Sequence, residues 1–273
     1  MTRSVLTATD LHVTFPALQG RGEVHAVDGV TLDLREGEIL ALVGASGSGK
    51  TTLSRTLLGL EAPTSGSVTA FGEALPTGGR ALKRARQRLQ LVMQDPSGAL
   101  NPKHSVYESV AEGIRLHRLV ERAAATEPAI TEVDLVTRAL EHAGLRPAAE
   151  FFLAFPHQLS GGQRQRVLIA GSLAVDPSVI LADEPVASLD ASIRGEILDL
   201  FLTLRDTLGL TFMIVTHDLG LAWNIADRVA VMQAGQIVEI GSTEEVLLNP
   251  SHSYTRELLR ALPGSTAPAA PES

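Results

Sequence analysis

The sequence predicts an α/β protein built on a largely parallel sheet. Three observations carry this reading. Glu38-Ile-Leu-Ala-Leu-Val43 is a short apolar run bounded by turn residues, as a buried strand should be; it leads into the glycine-rich loop Gly44 to Thr52 and then into a helix-like stretch, Leu53 to Leu58. Strand-like runs recur at Val179 to Ala182 and Thr211 to Val215, alternating with helical spacing, which implies parallel pairing. From Asp95 to about Val175 the chain is mostly helix-like, as an insert between core strands would be.

In chain order, residues 4 to 43 read as short strands. Leu11 to Phe15 alternates apolar and polar, Ala26 to Leu34 does so loosely, and Arg35 to Glu38 makes a turn. Ser67 to Phe71 is a further strand after a turn. Arg80 to Arg88 is a charged run, read as a solvated helix face, and Leu89 to Met93 as a buried strand ending at Gln94. Helical apolar spacing spans 105–118, 131–143 and 163–174, punctuated by Pro128, Gly144 and Pro147. Val229 to Met232 and Gln236 to Ile240, joined by Ala234-Gly235, read as a closing hairpin. One domain over residues 1–262 is expected, with a helical part over about 95–175. The segment 263–273 lacks core-forming residues and is expected to be disordered.

The loop Gly44, Ala45, Ser46, Gly47, Ser48, Gly49, Lys50, Thr51, Thr52 has the spacing of a phosphate cradle. A phosphate chain carries several negative charges and needs converging donors. Glycines let backbone N–H groups curl round it, and the following helix presents its positive end. Lys50 can reach the β- and γ-phosphates, and the Thr51 hydroxyl can ligate Mg²⁺. Val179 to Glu184 is an apolar strand ending in two acids. Beside a phosphate loop, Asp183 can hold the metal and Glu184 can act as general base toward water. Ser160 is a natural helix N-cap, and Gly161 and Gly162 expose N–H groups for a second anion.

Composition narrows the classes. The formal net charge is −8, and the lysines are Lys50, Lys83 and Lys103, so no nucleic-acid partner is expected. There are no cysteines, hence no disulfide and no Cys-ligated zinc or iron–sulfur cluster in this chain. The eight histidines include seven without metal-ligand spacing, His12, His25, His104, His117, His142, His157 and His252, read as surface or packing residues. No apolar run approaches the roughly 20 residues of a membrane helix, and the first ten residues lack a signal peptide's apolar core, so a soluble protein is expected.

Taken together, these motifs resemble the ATP-binding cassette (ABC) ATPases. Leu159-Ser-Gly-Gly-Gln163 is similar to that family's signature motif, Gly44 to Thr52 to Walker A, and Val179 to Glu184 to Walker B. Gln94 matches the Q-loop, Ser188-Leu-Asp190 the D-loop, and His217 the switch histidine. The resemblance implies a P-loop NTPase of ABC type: a RecA-like core, an antiparallel β subdomain and an inserted helical subdomain. It implies ATP and Mg²⁺ as cofactors. Phe15 would stack on adenine, although the family more often has Tyr there and a core phenylalanine is the competing role. Gln94 would touch Mg²⁺ and the attacking water, His217 the γ-phosphate, and Gln163 would extend the second site. Asp190 would couple two sites across a head-to-tail dimer with an identical or paralogous ATPase. Gln94 to Pro102 and His252 to Leu258 resemble the peptide/nickel importer branch, with Ser253 departing from that branch's proline. Without cysteine the chain resembles the branch's short form. That implies an importer ATPase at the cytoplasmic face of the membrane, with two permease subunits and, indirectly, a substrate-binding protein. The alternative class is a non-transport ABC ATPase of DNA repair, chromosome or translation type. Only 64 residues separate Gln94 from Leu159, too few for a long coiled-coil arm.

Overall fold

The computed structural model describes residues 3–17, 22–125, 127 and 129–261; Pro128 and the segment 263–273 lie outside the described residues. The chain opens with β1 (Ser4–Pro16) and β2 (Glu23–Arg35), paired antiparallel. Each has 13 residues, where the sequence suggests short strands. Register shifts between Ala8 and Leu11 and between Leu11 and Val13 explain the difference. Each bulge breaks the apolar–polar alternation while the pairing continues past it.

Then come β3 (Ile39–Val43), α1 (Lys50–Leu57), β4 (Ser65–Ala70), β5 (Glu73–Ala74), α2 (Gly79–Arg88) and β6 (Leu89–Val92). The helical stretch holds α3 (Pro96–Ala99), α4 (Val106–His117), α5 (Leu119–Ala123), α6 (Glu132–His142) and α7 (Gly161–Leu173), with short 3₁₀ turns before α7. Ser105, Thr131 and Ser160 each begin a helix with a reciprocal capping box. The chain finishes with β7 (Val179–Asp183), α8 (Ala191–Leu208), β8 (Thr211–Thr216), α9 (Leu219–Ile225), β9 (Arg228–Gln233), β10 (Gln236–Ser242), α10 (Thr243–Leu248) and α11 (Ser253–Arg260). Ala234 and Gly235, both at positive φ, make the two-residue turn of the β9–β10 hairpin.

Among the described residues the strands form two sheets. One is antiparallel, in the order β2-β1-β4-β5; the other runs β10-β9-β3-β8-β7-β6 and is parallel from β9 to β6. All five residues of β3 and all six of β8 are buried, because both faces of this sheet are covered. On one face Ile180 and Phe212 join a core with Val110, Leu140 and Val167 of the helical stretch. On the other, Leu42, Leu181 and Met213 pack with Val13 and Val30 of the antiparallel sheet.

Candidate nucleotide-binding site

Register places the chemistry. Val43 pairs with Thr216, Asp183 with Val215, and Val92 with Ala182. Adjacent parallel strands therefore end at one edge. There the loop after β3, His217 after β8, Asp183 and Glu184 at the end of β7, and Gln94 just past β6 stand side by side. The crevice outside the carboxyl ends of parallel strands is where open α/β sheets bind ligands.

The loop is held from both sides. A Cβ on Gly44 would lie 2.2 Å from the Met232 carbonyl oxygen of β9, and one on Gly49 would lie 2.0 Å from the Ala26 carbonyl oxygen of β2. Gly49 also sits at φ 104, so it needs glycine on both counts. The Ser48 carbonyl accepts from Gly235 N–H at 2.9 Å, and the Ser48 N–H donates to the Ala45 carbonyl at 3.2 Å. The Ser48 hydroxyl is buried without a hydrogen-bond partner among the described residues. Helix α1 starts at Lys50, with Gly49 at the N-cap and no side-chain cap. Ser46 and Gly47 are exposed at the tip, while Thr51 and Thr52 lie in the first turn of α1.

Lys50 is 8% exposed and donates to the carbonyls of Gly44 at 2.8 Å and Ala45 at 2.9 Å. Burial holds its pKa below the ordinary lysine value, against the attraction of Glu184 and Asp183. Burial likewise pushes the Asp183 carboxyl up; a hydrogen bond with Thr51 and the charges of Arg55 and Lys50 oppose the rise, while Glu184 adds to it. Both groups are thus strained in their charged forms, and a ligand of complementary charge would relieve each.

Glu184 continues β7 with its N–H donating to the Val215 carbonyl at 2.9 Å, then turns at φ 48. Its Oε1 lies 2.7 Å from Nδ1 of His217, with the carboxyl side chain 15% exposed and the imidazole 64% exposed. This pairs a shielded carboxylate with an accessible imidazole. Gln94 is exposed, next to Asp95, whose side chain caps α3 by accepting from Ser97 N–H at 2.9 Å. The Thr51 hydroxyl, the Asp183 carboxyl and the Gln94 side-chain oxygen, carried at or beyond the ends of parallel strands of one sheet, are oxygen donors of the kind that Mg²⁺ takes alongside phosphate and water. Among the described residues there is no cluster of three or more His, Cys, Asp and Glu that would hold a metal by itself.

Phe15 is 36% exposed and pairs with Val24. It lies on the strand pair whose Ala26 abuts Gly49. Ser160 caps α7, accepting from Gln163 N–H at 3.2 Å while Gln163 Oε1 accepts from Ser160 N–H at 2.9 Å. Gly161 and Gly162 pack on Leu189 and Ile193 of the same chain. The Asp190 carboxylate caps α8, accepting from Ile193 N–H at 3.1 Å and Ser192 Oγ at 2.8 Å. The signature and Asp190 segments therefore form one surface, apart from the loop edge in sequence but joined to each other.

A residue that sequence reasoning missed is Tyr254. Its hydroxyl accepts from Ala45 N–H at 3.0 Å across 209 positions of sequence. The His252 to Leu258 stretch is legible as a branch motif, yet nothing local in it points to the phosphate loop.

With the geometry in view, the comparisons are informative. The ABC transporter family model matches residues 27–187, from the strand that buttresses Gly49 to just past Glu184. The chain belongs to the ABC transporter family. It is an ABC ATPase, and its domain is of the kind that binds ATP. Curated relatives include the glutathione import ATP-binding protein GsiA of Escherichia coli O157:H7, 42% identical over 265 residues, which cover 95% of this chain and 41% of that protein. This chain thus spans well under half the length of the curated relatives it matches. Among solved structures, cbiO1 of Clostridium perfringens, part of the cbiONQ transporter complex, superposes with a TM-score of 0.75 at 29% identity, covering 90% of this chain and 91% of that one. The ATP-binding cassette MJ0796, solved as a dimer bound to ADP and Pi, gives 0.73 at 28% identity, covering 87% of this chain and 98% of that one. These likenesses bear out the α/β P-loop ABC fold expected from the motifs. No helix among the described residues is long and apolar enough to cross a membrane.

Proposed function

We propose that this ABC ATPase drives an importer, hydrolysing ATP at the interface of a head-to-tail dimer and passing the resulting motion to two permease subunits at the cytoplasmic membrane face. The observation that carries the proposal is the gathering of Lys50, Asp183, Glu184 and His217 at one sheet edge; the family resemblance supplies the expectation that Ser160 to Gly162 serve the partner's site. Lys50 and the loop N–H groups bind the phosphates. Thr51, Asp183 and Gln94 would hold Mg²⁺, which would neutralise phosphate charge. Glu184 accepts a proton from water, and His217, within hydrogen-bond reach, orients that carboxylate and the terminal phosphate. Phe15 stacks on the base. A partner's Ser160 to Gln163 closes the site from the opposite side, and Asp190 links the two halves. Dimeric MJ0796 supports this arrangement by analogy.

For cargo we favour short peptides over nickel or another metal chelate. The GsiA relatives are named for glutathione import, glutathione is itself a tripeptide, and the Gln94 to Pro102 and His252 to Leu258 stretches resemble the same branch. The exposed residues around Gly98, between two prolines, form the docking segment for the permease. The test is copurification with the cognate permease and binding protein, followed by uptake of labelled di- and tripeptides and of nickel into vesicles. ATP-dependent peptide uptake supports the reading. Nickel uptake alone, or no permease association, overturns its cargo or its transport half respectively.

A further inference from the structure

We propose that Tyr254 is a positioning residue for the phosphate loop, and that helix α11 serves to hold it there. This inference rests on nucleotide binding at Gly44 to Thr52. The peptide group between Gly44 and Ala45 is held at both ends. Its carbonyl accepts from the Lys50 ammonium at 2.8 Å, and its N–H donates to the Tyr254 hydroxyl at 3.0 Å. In a planar trans peptide the C=O and N–H point in opposite directions, so the two bonds fix the orientation of the whole unit. Tyr254 therefore opposes rotation of the carbonyl that meets Lys50. The next carbonyl, of Ala45, receives Lys50 Nζ at 2.9 Å and Ser48 N–H at 3.2 Å, so the loop's cation and its bend hang on the same short segment.

Tyr254 is itself anchored. The carboxylate of Glu239 on β10 accepts from Ser251 N–H at 2.6 Å, Ser251 Oγ at 2.8 Å, His252 N–H at 3.1 Å and the buried Thr255 hydroxyl. His252 Nδ1 accepts from Tyr254 N–H at 3.2 Å. One acid thus clamps both sides of Tyr254 along the chain. The ring packs with Leu258 and Leu259 against the core around Val229 and Val246. Position and direction of the hydroxyl are consequently set by β10, not by the loop it serves. The resemblance of His252 to Leu258 to a branch motif acquires a physical reason: His, Tyr and Thr each make one of these bonds.

The experiment compares full-length wild type with Tyr254→Phe, which keeps the ring and removes only the hydroxyl, and with Glu239→Gln and Lys50→Ala. Mg²⁺–ATP affinity, KM, kcat and nucleotide-free Tm are measured, together with the ¹⁵N–¹H resonance of Ala45 in alanine-labelled protein. One neutral hydrogen bond predicts a rise in Kd and KM of roughly two- to tenfold for Tyr254→Phe, with kcat and Tm nearly unchanged and the Ala45 resonance shifted. Glu239→Gln should move the same resonance in the same direction. Wild-type affinity with an unshifted Ala45 resonance in Tyr254→Phe overturns the inference. A loss of affinity that merely follows a lowered Tm overturns it too, because a packing role would suffice. Lys50→Ala separates the two levels: if it binds nucleotide as wild type does, the reading of the loop itself has failed; if it loses binding while Tyr254→Phe does not, only the role of Tyr254 has failed.

Discussion

Replacing Glu184 by Gln is the sharpest test of the chemistry. The substitution keeps size and shape, and the backbone at 184 is fixed independently of the carboxylate by its N–H bond to the Val215 carbonyl. The hydrogen-bond partner of the carboxylate among the described residues is His217 at 2.7 Å. A Gln amide can still hydrogen-bond that ring, so the edge should keep its geometry and its affinity for Mg²⁺–ATP. What is lost is the ability to accept a proton. General bases contribute about 10²–10⁴-fold, equivalent to about 3–5 kcal/mol of barrier. The carboxylate is 15% exposed, so bulk water does not readily substitute for it, and the upper half of the range is expected. The assay is single-turnover hydrolysis in the assembled transporter, with nucleotide affinity measured in parallel. Hydrolysis within tenfold of wild type at unchanged affinity would refute the assignment of Glu184 as the base.

Three further outcomes are expected. Burial raises the Asp183 carboxyl above the ordinary aspartate value of 3.8, so between that value and its folded pKa the native chain holds more protons than the unfolded one. Stability of the nucleotide-free protein therefore falls as pH rises through that window. Asp183→Asn should remove the fall and raise Tm at neutral pH while abolishing Mg²⁺-dependent hydrolysis; a lowered Tm in a pH series of melts would count against it. Arg228, 12% exposed, bridges Glu38 and Asp33 at 3.1 Å each, so Arg228→Met leaves Glu38 buried without its cation. Denaturant unfolding should show a loss of about 3 kcal/mol, the lower end for a broken buried pair because Asp33 remains partly solvated. For the composite dimer, Gly161 is the position to alter: its added Cβ meets Leu189 at an ordinary 3.5 Å, whereas one on Gly162 would lie 2.6 Å from Ile193. In a Glu184→Gln background with its cognate ATPase partner, ATP should produce dimers by light scattering. Gly161→Asp should prevent them by setting a carboxylate against phosphate without harming α7, whose N-terminus favours an acid; ATP-driven dimers that persist would sink the composite site.

Much of this was legible in the sequence, for a definable reason. Gly44 to Thr52, Asp183-Glu184 and Ser160 to Gln163 are local: spacing along a few residues dictates a strand end, a cap or a bent loop. The expected helices at 105–118 and 131–143 carry Ser105 and Thr131 as caps at their first residues. What stayed hidden depends on distant partners. The strand order β10-β9-β3-β8-β7-β6 is not the chain order, so the side-by-side placement of His217 and Glu184 cannot be read from either motif alone. The full length of β1 and β2 was masked by bulges that interrupt the alternation. The contact of Gly162 with Ile193 and that of Ala45 with Tyr254 join segments whose own patterns explain them fully as a helix start and a surface helix.

The dependence of the phosphate loop on Ala26, Met232, Gly235 and Tyr254 also bears on how the protein comes into being. A ribosome delivers Gly44 to Thr52 early, but Tyr254 follows 209 positions after Ala45. At about 5–20 residues per second the loop waits on the order of 10–40 s for its last support. For most of that interval β3 also lacks β8 and β9, its neighbours on either side, which are made only shortly before Tyr254. Nucleotide therefore cannot template the nascent fold from its own motif. Competence to bind ATP should appear abruptly once β9 to α11 have emerged, and ribosome-stalled chains ending before β9 should fail to retain a fluorescent ATP analogue that chains extending past α11 hold.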